Sequence, residues 1–367
     1  MTPPTPGSLA GVTVVDLSRV LGGPYCTQIL GDHGADVLKV EPPQGDETRG
    51  WGPPVTDGAS AYFLGVNRNK RGMVLDLKTD AGREALLGLL AGADVLVENF
   101  KTGTMEGWGL GALGERFPRL VHCRITGFGA DGPLGGLPGY DAAVQAATGL
   151  MSINGDPGGA PTRLGVPAVD MTTGLNAAIG ILLALFERDR SGRGQFVDVT
   201  LFDCALSILH PHSANFLSGG PVPGRSGNAH PNIAPYDSFA CRDGAVFLAV
   251  GNDGQFVKLC ALLDLPGVAA DPRFGGNHAR VVNRDALKVA LEAALASYDA
   301  TGIAARLMAA GVPCAPVLDV AAALAHPHTA HRAMIVDGGG ASPSIASPIK
   351  LDRTPATYRL PPPEFSA

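Results

Sequence analysis

Two aspartates occupy sequence positions that could make a carboxylate reactive. Asp170 separates the segment 165–169 from a long helical pattern, and Asp141 follows Pro138-Gly139-Tyr140. An acidic residue directly before a helix most often caps its first turn. A partly buried carboxylate at the same place can instead act as a nucleophile that carries a covalent acyl group, because the helix N-terminus favours its ionised form. The residues alone leave both interpretations of Asp170 open.

The remaining motifs give weaker indications. Residues 109–114 match the GxGxxG pattern of dinucleotide-binding loops, but the predicted strand ends well before them, so we expect a glycine-rich loop. The pairs His210/His212 and His326/His328 could bind a metal only with a further converging ligand, and we predict no metal site. The sequence contains no GxSxG, Walker A or HExxH motif, which argues against the commonest hydrolase, kinase and metalloprotease sites.

The first third of the chain alternates between strand and helix patterns. Strands that alternate with helices pair in parallel, so this alternation indicates an α/β domain with a parallel sheet. The predicted strands are 12–17, 35–41, 71–76, 93–98 and 120–125, with helices at 24–33 and 80–90, and further along the chain follow a helix at 171–188 and a strand at 195–201.

A second, smaller domain of α+β type is predicted towards the end of the chain. A hairpin pattern over 238–250 turns at Arg242-Asp243-Gly244 and is followed by helical patterns. We place the large domain at 1–222 and the small domain at 223–325, and we expect residues 326–367 to return to the large domain. Within the small domain the predicted helices are 255–263 and 285–296, and the predicted strand is 314–318.

Composition and charge narrow the function classes. The 367 residues are 45% hydrophobic and 17% charged, which is typical of a folded globular chain. The net charge of −6 argues against a nucleic-acid-binding protein, which usually has a basic excess. We find no signal-peptide pattern, and the apolar run 179–186 is too short to cross a bilayer. We therefore expect a cytoplasmic protein that binds neither nucleic acid nor membranes.

Nine segments, in the right order, resemble the family III CoA-transferases, which include formyl-CoA transferase, carnitine CoA-transferase and α-methylacyl-CoA racemase. The resemblance extends over about 8–350, nearly the whole chain. The segments are 7–12 with 14–18, 23–28, 30–37 with 39–41, 67–71 with 76–78, 94–100, 139–141, 165–170, 187–188 with 192–195 and 197–199, and 228–236.

The resemblance implies a fold, an assembly and substrates. The family fold is a large Rossmann-like domain with a smaller α+β domain, and two ring-shaped subunits interlock as an obligate homodimer. Coenzyme A thioesters and carboxylic acids are implied as substrates, with no permanently bound cofactor.

The resemblance also implies roles for individual residues. Asp170 falls on the family's nucleophile, which attacks an acyl-CoA thioester to give an aspartyl anhydride. CoA thiolate then forms an aspartyl-CoA thioester, and the acceptor carboxylate takes over the CoA. Tyr140, Asp141 and Leu21 are implied as neighbours in the active site. The positions that line the CoA site in the family are Val20, Arg71, Leu75, Lys78, Asn99 and Phe100.

Two of these positions bear on the type of reaction. Racemases of the family carry a histidine near Tyr140 as an acid–base partner, whereas a phenol with a pKa of about 10 is a poor base for a thioester α-proton. Formyl-CoA transferase has glutamine in place of Leu21, which disfavours oxalate as the acceptor here. We therefore expect a transferase that moves CoA between two acids, with succinyl-CoA as a plausible donor. The alternatives are a 2-methylacyl-CoA racemase or epimerase and an inactive CoA-binding protein.

Overall fold

A computed structural model describes residues 7–56, 58–338 and 343–365. The chain forms two compact units. The first contains the described parts of Met1–Gly149, Leu164–Ile208 and His326–Ala367, and the second contains Leu150–Arg163 and Leu209–Ala325. This division differs from the predicted boundaries, because residues 150–163 and 209–222 belong to the second unit.

The first unit is built around a six-stranded parallel sheet. Its strands are β1 (Thr13–Asp16), β2 (Asp36–Glu41), β5 (Lys70–Val74), β6 (Val95–Glu98), β7 (Val121–Thr126) and β8 (Phe196–Thr200), while β3 (Val55–Thr56) pairs with β4 (Ala59–Ser60) and β12 (Ile335–Val336) with β13 (Ser344–Ile345). The order in the large sheet is β5-β2-β1-β6-β7-β8, and every neighbouring pair is parallel. The predicted parallel α/β architecture is confirmed.

The helices of the first unit connect these strands. They are α1 (Gly22–Asp32), α2 (Ala61–Leu64), α3 (Asp80–Leu90), α4 (Thr104–Gly107), α5 (Leu113–Arg116), α6 (Asp141–Ala147), α8 (Ala168–Ser191), α9 (Leu201–Ser207) and α17 (Pro327–His331), with a 3₁₀ turn at Glu47–Gly50. Local sequence explains where several begin: the Thr79 hydroxyl accepts a hydrogen bond from Gly82 N and caps α3.

Buried charged residues in the first unit fix the loop that follows β1. Lys70 Nζ lies 3.0 Å from Asp16 Oδ2, and Lys39 Nζ lies 3.0 Å from Asp46 Oδ2. Lys39 also donates to the carbonyl oxygen of Ser18 at 2.9 Å. Buried charges are tolerated only when they are paired and hydrogen-bonded, so removing one partner would disturb this loop.

The second unit combines a small antiparallel sheet with helices. The strands β9 (Tyr236–Cys241), β10 (Gly244–Ala249) and β11 (Cys314–Pro316) form it in the order β11-β10-β9, and the helices are α7 (Leu150–Ile153), α10 (His212–Leu217), α11 (Asp253–Leu262), α12 (Pro266–Ala270), α13 (Asn277–Val282), α14 (Arg284–Leu295), α15 (Ala300–Ala309) and α16 (Val320–Ala325), with a 3₁₀ turn at Pro272–Phe274. Its core contains Val246, Leu248, Leu259 and Leu291, all fully buried.

Specific hydrogen bonds connect the described C-terminal residues to the rest of the first unit. Arg68 Nη1 donates to Ile345 O at 2.8 Å, and Thr357 N donates to Asp32 O at 2.8 Å. The backbone N–H of Leu360 donates to Asn69 Oδ1 at 3.1 Å. The described C-terminal residues are therefore anchored to α1 and to the segment before β5.

Helix α8 is long and apolar enough to cross a membrane by length and composition alone. Core helices of soluble proteins pass the same test, and α8 packs against α1, β7 and β8. A single helix of this kind is weak evidence for a membrane protein. The expected cytoplasmic location stays a prediction.

Candidate active site

The candidate site lies where the strand order of the large sheet reverses. From β1 and β6, which are neighbours, the chain builds the sheet outward in opposite directions. Ligands of such sheets bind at the carboxyl ends of the strands at this point. Here the segment 18–21 follows β1, and Asn99-Phe100 follows β6.

Asn99 joins these two segments. Its Oδ1 accepts a hydrogen bond from Arg19 N at 2.9 Å, and its Nδ2 donates to Arg19 O at 2.7 Å. The next residue, Val20, has a positive φ of 70°, which is strained for a β-branched side chain. The Asn99 bonds, together with the Lys39 bond to Ser18, hold this strained turn in place.

A cavity of about 190 Å³ lies at this edge of the sheet. Its volume is below the roughly 300–1,000 Å³ of typical ligand pockets, so it suits a small acyl group better than a whole CoA molecule. Six of the predicted site residues line it: Val20, Leu21, Asn99, Phe100, Tyr140 and Asp170. The fold thus brings together residues that are separated by up to 150 positions in the sequence.

Asp170 reaches the cavity because α8 crosses very close to α1. A Cβ added at Gly174 would stand 2.6 Å from the carbonyl oxygen of Gly22, so only glycine permits this crossing. A Cβ added at Gly22 would lie 3.8 Å from Asp170 Oδ1. Helix α8 begins at Ala168, so Asp170 lies within its first turn and not ahead of the helix as the sequence suggested.

Asp141 holds the backbone around Asp170. Its Oδ2 accepts hydrogen bonds from Val169 N at 2.8 Å and from Asp170 N at 3.1 Å. Its Oδ1 accepts from Gln145 Nε2 at 2.6 Å, and Gln145 Oε1 in turn accepts from Leu164 N at 2.9 Å. Asp141 therefore caps the start of α8 from another helix, and both of its oxygens are occupied.

The surroundings of Asp170 disfavour its negative charge. Burial and the nearby Asp141 raise the pKa of Asp170 from 3.8 to about 7. The same two carboxylates act on Tyr62. Burial, Asp170 and Asp141 together raise the pKa of the Tyr62 hydroxyl to about 12. A carboxylate that is poorly stabilised by its environment is a better nucleophile, which fits the proposed covalent role better than a simple capping role.

Tyr140 lies at the rim of the cavity, whereas three of the predicted CoA-binding residues do not line it. Tyr140 is 59% exposed and lines the cavity rim at the start of α6. Leu75 and Lys78 lie just after β5, at the same edge of the sheet as the cavity, but they do not line it. Arg71 lies near the amino end of β5 and pairs with Asp36 at 2.7 Å, so the structure does not bring it to the cavity.

Sequence reasoning missed several residues at the site. Arg19, Glu47 and Lys101 also line the cavity. Arg19 could have been found by its position directly after β1 at the switch point. Gln145 could have been found by its i, i+4 spacing from Asp141 on one helix face.

Other features that the sequence highlighted lie elsewhere. Residues 109–112 connect α4 to α5 and residues 113–114 begin α5, so a helix and not a strand directly precedes this glycine-rich segment. A larger cavity of about 600 Å³ lies within the second unit and is lined by much of the segment 228–236. Over residues 7–56, 58–338 and 343–365, no three or more His, Cys, Asp or Glu side chains could hold a metal ion.

Comparison with known proteins identifies the family. The model for CoA-transferase family III matches residues 9–367. The chain belongs to CoA-transferase family III. It is 39% identical to a succinate–glutarate CoA-transferase from Agrobacterium fabrum, covering 97% of this chain and 92% of that protein. It is 42% identical to an acetyl-CoA:oxalate CoA-transferase from Acetobacter aceti, covering 95% and 91%.

A solved structure agrees with this assignment. A CAIB/BAIF family protein from Brucella suis superposes with a TM-score of 0.87 and is 42% identical, covering 98% of this chain and 96% of that one. The predicted family and the predicted enzyme class are confirmed: the chain is a CoA-transferase, and CoA thioesters are its substrates.

Proposed function

We propose that the enzyme moves CoA between two carboxylic acids with Asp170 as the covalent nucleophile. The observation that carries this proposal is the setting of Asp170: its carboxylate lines a small cavity at the strand switch point, and its pKa is raised to about 7. Two nearby carboxylates would repel each other, but Asp141 accepts hydrogen bonds from three donors, Gln145 Nε2, Val169 N and Asp170 N, which leaves Asp170 as the reactive group.

The reaction proceeds by exchange at three carbonyl carbons, those of the donor, of Asp170 and of the acceptor. An Asp170 oxygen attacks the thioester carbon of the donor, and the C–S bond breaks to give CoA thiolate and a mixed anhydride. The thiolate attacks the Asp170 carbonyl carbon, which releases the donor acid and leaves an aspartyl-CoA thioester. The acceptor carboxylate attacks this thioester and forms a second anhydride, and the thiolate then attacks the acceptor's carbonyl carbon. Asp170 is regenerated and no net proton is consumed.

Helix α1 supplies groups that suit these steps. Its first turn begins at Gly22 beside Asp170, with no side-chain cap on its N-terminal N–H groups. Such N–H groups stabilise negative charge that develops on an oxygen during acyl transfer. Exclusion of water once the substrate fills the cavity would protect the anhydride from hydrolysis.

We propose that CoA binds at two places along the edge of the sheet that contains the cavity. Val20, Asn99 and Phe100 flank the thioester end in the cavity, and Leu75 and Lys78 after β5 hold the nucleotide end. Lys78 is exposed, so its ammonium is accessible to a phosphate. Arg71 is left out of this site because it forms an ion pair with Asp36.

For the acids we propose succinyl-CoA as donor and a short dicarboxylate as acceptor. The relatives named above act on succinate, glutarate and oxalate by their names. Oxalate, which Leu21 disfavours by comparison with formyl-CoA transferase, therefore belongs in the acceptor panel beside glutarate. The panel is screened with succinyl-CoA and read by mass spectrometry of the acyl-CoA products.

The nucleophile is tested by substitution and trapping. Asp170→Asn removes the reactive carboxylate and should lower turnover by several orders of magnitude while CoA still binds. Hydroxylamine added with the acyl-CoA should modify one carboxylate, and peptide mapping should place it on Asp170. The matched control is Asp203→Asn, an exposed aspartate in the first turn of α9. Near-normal transfer by Asp170→Asn, or a label on another residue, contradicts the mechanism.

We also propose an interlocked homodimer. Support comes from the family fold and from α8, which leaves Leu175, Ile179, Leu182, Leu183 and Phe186 exposed along its length. An apolar face of this size on a helix favours burial by another chain. Sedimentation at nanomolar concentration should give about twice the subunit mass of 37.5 kDa. Reversible dissociation to monomers at micromolar concentration would contradict interlocked rings.

A further inference from the structure

Arg19 is a half-buried cation that lines the cavity with Asp170, and no described residue forms an ion pair with it. Its side chain lines the cavity, and its Nε is buried with no hydrogen-bond partner among the described residues. Within this part of the chain, none of the ion pairs includes it. A buried donor without an acceptor costs free energy, and the cost is larger for a charged group. An anion bound in the cavity would supply the missing partner.

The backbone of Arg19 is fixed in a way that suits a binding residue. Asn99 contacts both its N–H and its carbonyl oxygen, and the strained Val20 follows directly. A side chain that starts from an immobilised backbone loses less freedom when it binds a ligand. This arrangement has no evident structural purpose for the Arg19 side chain itself.

Two anions of the reaction could accept hydrogen bonds from Arg19. One is a phosphate of CoA, and the other is a carboxylate of the acid. The phosphates lie a whole pantetheine arm away from the sulfur, whereas Arg19 shares a cavity of about 190 Å³ with the reacting Asp170. This favours the carboxylate, whose two oxygens also match the planar guanidinium.

The charges around the cavity explain why a second carboxylate needs such a partner. Asp170 and Glu47 both line the cavity and would repel an acid with two negative charges. Lys101 is the other lining cation, and its side chain is exposed. Arg19 is the better placed of the two to neutralise a carboxylate inside the cavity.

We propose that Arg19 is a specificity-determining residue that binds the unreacted carboxylate of a dicarboxylic acid while the other carboxylate exchanges CoA at Asp170. This rests on the proposed function, because it names the substrate class of the same site. The enzyme should therefore prefer dicarboxylic acids over monocarboxylic acids of the same length.

The test compares glutarate with pentanoate, which have the same number of carbons. With succinyl-CoA as donor, Arg19→Gln should lower kcat/KM for glutarate by about 10- to 100-fold, the effect of one lost charge-assisted contact. Its kcat/KM for pentanoate should change less than about threefold, since pentanoate has no second carboxylate. Arg19→Lys keeps the charge without the planar fork and should give an intermediate loss for glutarate. Arg116→Gln, an exposed arginine on α5 outside this cavity, is the matched control and should change neither value.

Binding measurements separate this proposal from the proposed function. A wild type that transfers CoA to no acid would reject the proposed function. The Arg19 proposal then depends on binding: glutarate must raise the Tm of the wild type more than that of Arg19→Gln, and pentanoate must raise neither. If Arg19→Gln does not fold, the same comparison is made with Arg19→Lys.

Three results would overturn the assignment of Arg19. Equal losses for glutarate and pentanoate would show a general structural role, and no loss would show that Arg19 does not contact the acid. Weaker CoA binding by calorimetry with an unchanged acid preference would assign Arg19 to the phosphates instead.

Discussion

Asp170→Asn should stabilise the protein above neutral pH while it removes the transfer activity. Burial and the neighbouring Asp141 raise the pKa of Asp170 from 3.8 to about 7. The folded protein therefore binds the proton of this carboxyl group more tightly than the unfolded chain does. The stability that the protonated group contributes is present below pH 3.8 and is lost as the pH rises through 7. Asparagine does not titrate, so the variant avoids this loss.

The difference between the pKa of Asp170 in the folded protein and in the unfolded chain sets the gain in stability that Asp170→Asn should give. The rise in the pKa from 3.8 to about 7 lowers the free energy of unfolding of the wild type by about 4 kcal/mol at pH 8, where its carboxyl group is ionised in both states. At pH 5 the folded carboxyl is still protonated and the unfolded one is ionised, so the difference is about 2 kcal/mol. For a chain of this length, about 4 kcal/mol corresponds to a rise in Tm of about 5 °C.

Thermal unfolding of wild type and variant at pH 5 and pH 8 measures this difference directly. The expected result is a higher Tm for Asp170→Asn at both values, with a clearly larger gap at pH 8. Asp203→Asn serves as the control, because Asp203 is exposed in the first turn of α9. An equal gap at the two pH values, or a less stable variant at pH 8, would refute the idea that the site holds Asp170 in an unfavourable ionisation state.

Three further predictions concern the neighbours of Asp170. Asp141→Asn should shift the acidic limb of the kcat/KM profile to lower pH, because it removes a negative charge beside Asp170, and an unshifted limb would contradict this coupling. Asn99→Ala loses both hydrogen bonds to the Arg19 backbone. It should lower the free energy of unfolding in urea by about 1–3 kcal/mol and should lower kcat/KM. Normal stability and turnover would show that the strained turn at Val20 needs no support. A 2-methylacyl-CoA incubated with the enzyme in heavy water should gain no deuterium at its α-carbon, since Tyr140 is a poor base; exchange at the rate of turnover would favour a racemase.

The parallel sheet was predictable because buried strands are recognisable from short apolar runs. The predicted strands 93–98 and 120–125 nearly coincide with β6 and β7, and the predicted 195–201 contains β8. The hairpin of the second unit was predictable from its turn residues, although β9 begins two residues earlier. These features depend on local sequence alone.

The parts of the site that depend on tertiary contacts could not be predicted in this way. Nothing local indicates that Asp141 caps α8 from another helix, since that contact spans 28 residues. The close crossing of α1 and α8 depends on Gly22 and Gly174 together. Arg71 is the first residue of the predicted strand 71–76, and only the pairing of β5 with β2 places its side chain beside Asp36, at the opposite end of the sheet from the cavity.

Three features that cost free energy occur close together in this site. Val20 is strained, Asp170 is held near a like charge, and Arg19 has a buried donor without a partner. Each costs free energy in the ligand-free enzyme, and a substrate relieves two of them: acylation removes the charge of Asp170, and an acid's carboxylate satisfies Arg19. The paired lysines and aspartates beneath the loop and the Asn99 bonds keep the chain from relaxing in the meantime. If this reasoning is right, a bound dicarboxylate should raise the Tm of the wild type more than it raises that of Arg19→Gln, which lacks the guanidinium.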